Sequence, residues 1–232
     1  MAHTPSQYGL KLWQNGATLR VRFVDGTAAQ HEKVKLVSNE WTRHANLHFQ
    51  FGSSGGGGEI RISFKEADGT WSYIGTDALA IPASQATMNL IAEDFFILHE
   101  FGHALGLIHE HNSPNAKIKW NKANIYRDLG GPPNLWPKEQ VDSTMFETYK
   151  NIRYRDFDPD SIMMYSYPAS WFADGKIPGS RAKIRAPGGG PQSLSKSDKE
   201  FIRKLYPPVK QVGTAVRRAK KAGASGGKKI QS

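Results

Sequence analysis

The chain has 232 residues, 38% of them hydrophobic and 11% aromatic, which suffices for one sizeable domain, or one domain with a tail, with a packed core. It contains no cysteine, which excludes disulfides, thiolate metal ligands and a cysteine nucleophile without fixing the compartment. The formal net charge is +10, but seven basic residues and no acidic ones follow Pro208, so taking those seven away leaves +3 on the rest.

From the N-terminus, Met1 to Tyr8 offers neither a basic n-region nor an apolar h-region and does not read as a signal peptide. No apolar run approaches the roughly 18 residues of a membrane span. Leu19, Val21 and Phe23 alternate with Thr18, Arg20 and Arg22, the period-2 pattern of a half-buried strand that Asp25-Gly26 closes. Ala28 to Trp41 follows as a helix with Val34, Leu36, Val37 and Trp41 as its apolar stripe. Asn46–Phe51 and Ile60–Phe64 alternate again as strands, separated by a flexible loop over Gly52–Gly58. Thr70–Gly75 with Ala78–Ile81 reads as a further strand region at a sheet edge, and Thr87–Ile91 as a last short strand.

A helix then opens with Glu93 and Asp94 at its positive end and buries Phe95, Leu98 and Leu105. It carries His99-Glu100-Phe101-Gly102-His103-Ala104-Leu105-Gly106-Leu107-Ile108-His109, the pattern H-E-x-x-H-x-x-G-x-x-H. Residues four apart project from one helix face, so His99 and His103 can share one zinc ion. Glu100 sits where it can reach a water on that ion rather than the ion itself. Gly106 supplies a positive-φ helix end, and the chain can then bring His109 round as a third ligand. Three histidines leave one position open, as a catalytic zinc site requires and a closed structural site does not. A bare H-E-x-x-H arises by chance in helices; the added glycine and third histidine make this match far more specific.

Beyond the motif, prolines interrupt a weakly periodic stretch with short helices at Lys122–Leu129 and Pro137–Phe146. Ser180–Gln192 reads as loop. A C-terminal helix follows, for which Ser197 and Glu200 have capping-box spacing, with Phe201, Ile202 and Leu205 as its apolar face and Pro207-Pro208 as its stop. The expected division is therefore a folded unit over 1–208 and a basic, disordered tail over 209–232. The strands and two long helices of the N-terminal half predict an α+β fold.

Ser161-Ile162-Met163-Met164-Tyr165 is similar to the methionine turn of astacins, S-x-M-H-Y, and together with the zinc motif it makes the chain resemble a metzincin metalloprotease of the astacin-like branch. Glu110 directly after His109, Leu194-Ser195-x-x-Asp198 and Leu205-Tyr206-Pro207 strengthen the likeness, which covers roughly residues 10–208. Leu107 is serralysin-like where astacins have phenylalanine, Met164 replaces the histidine of the turn, and the astacin disulfides cannot form. The resemblance implies an N-terminal lobe with a twisted mixed sheet and the active helix, an irregular C-terminal lobe, and a cleft between them. It implies one catalytic Zn2+ and hydrolysis of a protein or peptide substrate. By the same match Met163 would form an apolar floor beneath the histidines, and Tyr165 would be a switchable phenol serving the oxyanion. The substrate would lie along an edge strand to which Trp71–Gly75 contributes, and the protein would act outside the cell as a monomer.

About 98 residues precede His99 and the sheet requires them, so no propeptide is visible in the sequence. His111 reads as a loop or rim residue, and His31, His44 and His48 as ordinary polar or half-buried side chains. The tail reads first as a solvated appendage, with attraction to nucleic acid, an anionic membrane surface or an acidic wall polymer as its functional alternative. A serralysin-type protease, a binding module that has lost activity and a surface-binding protein acting through the tail are the competing classes. The intact Glu100 and histidine set argue against the inactive module.

Overall fold

Strand β1 (Thr18–Phe23) lies in the interior of a five-stranded sheet ordered β2-β1-β3-β5-β4, where β2 is His48–Phe51, β3 Ile60–Ser63, β4 Trp71–Ser72 and β5 Met88–Asn89. The computed structural model describes residues 11–52, 57–149, 155–179 and 193–209. The readings for the N-terminal residues, for most of the glycine-rich loop, for Ser180–Gln192 and for the tail beyond Val209 lie outside these residues. The first four strands of that order run parallel, and β4 pairs antiparallel with β5 at the edge. The alternation in β1 is real: Leu19 and Val21 are buried while Thr18 and Arg20 face solvent.

Helix α1 (Ala28–Thr42) starts from a capping box in which the Thr27 hydroxyl accepts from the Gln30 N–H and the Gln30 side chain accepts from the Thr27 N–H. Its buried face is Val34, Ser38 and Trp41, with Val37 packed alongside. Leu36, assigned to the stripe from sequence, points to solvent, because 34, 37, 38 and 41 already complete one helical face.

The expected edge-strand region is corrected. Only Trp71 and Ser72 form strand; Gly75–Ala80 winds into a 3₁₀ helix. Gly75 has φ +50°, a side-chain carbon there would sit 1.9 Å from the Lys11 carbonyl oxygen, and the Thr76 N–H donates to that oxygen. The turn against the Lys11 segment diverts the backbone from the sheet. Asn89 of β5 then ties the edge down, accepting from the Lys65 N–H and donating to the carbonyls of Lys65 and Gly69.

Helix α2 (Asp94–Ala104) is packed between α1 and the sheet edge, and all its residues from Ile97 to Ala104 are buried. It is therefore enclosed on every side, where the sequence indicated one inner face. In the second half α3 (Lys122–Gly130) and α4 (Lys138–Val141) appear where short helices were expected, α4 continuing as a π-turn to Phe146. The last helix, α5 (Lys196–Leu205), is capped by Ser195 and Asp198 rather than by Ser197 and Glu200. The helix begins two residues earlier than that spacing implied, and the shorter aspartate still reaches the Ser195 N–H at 2.9 Å.

Two cores result. One joins the sheet to α1, α2 and α5; the other packs Ile125, Leu129, Val141, Met145, Met164, Tyr167, Trp171 and Phe172. The turn at 161–165 joins them, since Met163 belongs to the first core, Met164 to the second, and Tyr165 packs against both. No helix among the described residues is long and apolar enough to cross a membrane.

Candidate active site

Helix α2 ends in the geometry its glycine implied. The Gly106 N–H donates to the His103 carbonyl at 2.8 Å and the Leu107 N–H to the Gly102 carbonyl at 3.0 Å, with Gly106 at φ +95°. This pair of bonds is a Schellman end, which satisfies the helix carbonyls and reverses the chain direction. Leu12 packs against Gly106 so closely that a side chain there would meet it at 2.8 Å. Tyr206 and Trp13 secure the same end, donating to the Leu105 and Ala104 carbonyls.

The reversal brings His109 back beside the helix. The Nε2 atom of His109 lies 3.2 Å from that of His103 and 3.2 Å from that of His99. His99 Nδ1 donates to the Ile162 carbonyl and His103 Nδ1 to the Leu107 carbonyl, each at 2.8 Å. Carbonyl oxygens only accept, so these two rings carry their proton on Nδ1 and present an Nε2 lone pair to the site. A single proton on His109 could satisfy only one of its two contacts, whereas one cation satisfies all three nitrogens. Nitrogens bound to one tetrahedral zinc at about 2.0–2.1 Å lie about 3.3–3.4 Å apart. The donor set and spacing thus fit one zinc ion, and these three side chains form the metal-competent group among the described residues.

Burial keeps the His103 and His109 rings neutral. It pushes His103 down to about 4, opposed by its bond to the Leu107 carbonyl. His109 is held well below the ordinary histidine value, by burial first and then by the neighbouring imidazoles. Neutral imidazole is the metal-binding form.

Glu100 is buried beside this group, and desolvation raises its carboxyl to about 8 against a smaller lowering from the Thr70 hydroxyl. No group among the described residues hydrogen-bonds its Oε2. A buried carboxylate oxygen without a partner is costly in a purely structural role. Tyr165 lies over the histidines, its ring centroid 4.5 Å from that of His99 and 5.1 Å from that of His109. Burial and the nearby Glu100 hold its hydroxyl protonated. Met163 packs under α2, where its sulfur faces Gly102.

His111 joins the centre without entering the ligand group, and its placement at the rim is corrected: it is buried. Its ring stacks on His109 at 5.2 Å and 20°. Nε2 donates to the Thr144 carbonyl, and Nδ1 accepts from the Tyr167 hydroxyl, each at 3.0 Å. His31 and His44 bond locally to the Asp25 carbonyl and to Glu40, away from the site. Sequence reasoning missed the backbone carbonyls of Ile162 and Leu107, which no residue identity reveals. It also missed the joint packing of Gly102 and Met163.

The chain matches the family model for the Astacin peptidase family over residues 6–207. Mouse tolloid-like protein 1 is 28% identical over 203 residues, 84% of this chain and 19% of that protein. Zinc metalloproteinase nas-38 of Caenorhabditis elegans is 28% identical over 161 residues, 67% of this chain and 20% of that protein. The chain spans about a fifth of the length of these relatives. Among solved structures, myroilysin is 36% identical, with a TM-score of 0.77 across 85% of this chain and 96% of that one. High choriolytic enzyme 1, a hatching-enzyme zinc-protease from the medaka fish Oryzias latipes, has a TM-score of 0.56 across 89% of this chain and 98% of that one. At 18% identity it supports the fold alone.

Proposed function

The chain belongs to the astacin family of zinc metallopeptidases, and from that membership we propose that it cleaves internal peptide bonds of protein or peptide substrates. The observation that carries this reading is the convergence of the three Nε2 atoms, two of them oriented by bonds to backbone carbonyls, beside a buried Glu100 oxygen that has no hydrogen-bond partner among the described residues.

His99, His103 and His109 would hold the zinc, which when bound supplies a Lewis acid that makes water nucleophilic near neutral pH and polarises the scissile carbonyl. Glu100 is the general base: it takes the attacking water's proton and returns it to the leaving amine. Its enclosed position raises its proton affinity, which suits a group that must take up a proton and hold it until the amine leaves. Tyr165, kept protonated by burial, donates a hydrogen bond to the oxyanion that develops on the carbonyl. Met163 holds the floor beneath α2. Among the described residues the edge strand β4 has an unpaired side, on which an extended substrate can add a strand. Residues 1–208 act as the catalytic unit, as a monomer outside the cell; the basic residues beyond Pro208 are a solvated appendage, with attraction to anionic surfaces as the alternative.

Metal content and casein hydrolysis, measured together for wild type and Glu100→Ala, test the reading. One zinc per chain in both, with cleavage by the wild type alone and its loss on chelation, is expected. A folded wild type without zinc, or an active Glu100→Ala variant, would overturn it. Truncation of 209–232 with hydrolysis intact and surface binding lost would separate the tail from the chemistry.

A further inference from the structure

Asp198 sits in the first turn of α5, far from the zinc helix in sequence, with its side chain fully buried. Four donors converge on its carboxylate. Oδ2 accepts from the Ile162 N–H at 2.8 Å and the Ser195 N–H at 2.9 Å. Oδ1 accepts from the Ser161 hydroxyl at 2.7 Å and from Arg155 Nη2 at 2.6 Å. Capping α5 uses only one of these bonds. Two of the others run into the turn beneath the histidines.

The Ser161 oxygen, while donating to Asp198, accepts from the Met163 N–H at 3.0 Å. That N–H belongs to the same peptide as the Ile162 carbonyl, which accepts from His99 Nδ1 at 2.8 Å. The donors all point one way, so an unbroken chain of hydrogen bonds leads from the His99 ring through one peptide and one hydroxyl to a buried negative charge. Each link polarises the next in a low-dielectric interior. A carboxylate hydrogen-bonded to a metal-binding histidine fixes the ring and raises its basicity. Here the carboxylate acts at a distance of three hydrogen bonds.

The buried charge needs a counter-charge. Arg155 provides it, bonding Asp198 and also Glu110 Oε2 at 3.1 Å. Glu110 follows His109, its Oε1 accepts from the Asp158 N–H and its own N–H donates to the Met163 carbonyl. The same guanidinium therefore ties the segment carrying His109 to the turn that orients His99.

We infer that Asp198 is a positioning residue for His99, acting through the Ser161 hydroxyl and the Ile162–Met163 peptide, with Arg155 as its counter-charge. The inference rests on the zinc reading above. It is tested by zinc affinity in competition with a chromophoric chelator and by the visible spectrum of the cobalt-substituted protein, for wild type, Asp198→Asn, Ser161→Ala and Ile202→Val. Asp198→Asn is expected to weaken zinc binding about 10–100-fold. Ser161→Ala, which cuts the chain of bonds but leaves the Ile162 N–H bound to Asp198, is expected to weaken it less, and both should shift the cobalt bands. Ile202→Val loosens the core of the same helix and should lower the unfolding midpoint with both metal readouts unchanged. Wild-type affinity and spectrum in Asp198→Asn and Ser161→Ala, or equal changes in Ile202→Val, would overturn the relay. If Asp198→Asn does not fold, Ser161→Ala decides alone. A wild type that binds no zinc overturns the reading of the site and the relay with it.

Discussion

The sulfur of Met163 rests against the backbone of Gly102: a methyl group built on Gly102 would lie 2.3 Å from it and 3.2 Å from the Trp41 ring. The glycine stands one residue before a metal-competent histidine, in a helix interior where it costs roughly 0.5–1 kcal/mol relative to alanine. Close packing of the methionine turn accounts for its presence there. Gly102→Ala should therefore destabilise despite its better helix propensity, because overpacking costs typically about 1–3 kcal/mol. In a Met163→Ala background the contact with the sulfur is gone and only the 3.2 Å approach to the Trp41 ring remains, so the same change should cost clearly less. Urea midpoints of the four proteins in a double-mutant cycle check this. Equal destabilisation in both backgrounds would remove Met163 from the explanation.

Gly102 also marks the limit of what could be read from the sequence. The helix, its histidine spacing and the positive-φ exit at Gly106 follow from local rules, since residues four apart share a face and only glycine exits a helix that way without strain. The edge region failed because its turn depends on the Lys11 carbonyl, more than sixty residues earlier in the chain. The cap of α5 was misplaced because two serine-acid spacings overlap there, and the choice is made by the turn at 161–163, which draws on Asp198. His111 was legible as a non-ligand, but its burial rests on Tyr167 and Thr144, contacts that sequence spacing does not encode.

Tyr165→Phe keeps the ring that packs on His99 and His109 and removes only the hydroxyl. If that hydroxyl serves the oxyanion, kcat should fall by about 10²–10³, the loss typical of one such donor. Zinc content should stay at one per chain, and KM should change little. A variant with reduced zinc content would instead make the phenol a part of metal retention, and full activity would dismiss the role.

Removing the metal should loosen the fold around the centre, because nitrogens gathered as closely as the 3.2 Å between His99 and His109 Nε2 then lose the cation that offsets the repulsion of their lone pairs. A ligand that binds only the folded state stabilises by about 2.7 kcal/mol at one hundred times its Kd. Thermal unfolding with added zinc should thus shift upward with concentration in the wild type. The shift should vanish in His99→Ala, where the three-nitrogen set is broken. An equal shift in that variant would mean that zinc stabilises from another site.

Acid should destabilise the metal-free protein through His111 as well as through the ligands. Burial holds His111 at about 4, while an unfolded histidine titrates near 6.5. Between those values the unfolded chain binds one more proton at this position than the folded one, so stability rises with pH across the window. The contribution is complete above about 6.5 and is lost as pH falls to about 4. One such group gives a slope of about 1.4 kcal/mol per pH unit. His103 acts in the same direction, whereas the raised carboxyl of Glu100 acts in the opposite one, so the total slope is a composite. The difference between wild type and His111→Gln isolates the one group. Urea unfolding in chelator at several pH values between 4 and 7.5 should show the variant shallower by about one proton. Parallel curves would mean that His111 titrates in the folded protein as it does in the unfolded chain. Its ring would then have to open to water, against the 3.0 Å bonds to Thr144 and Tyr167 that hold it under His109.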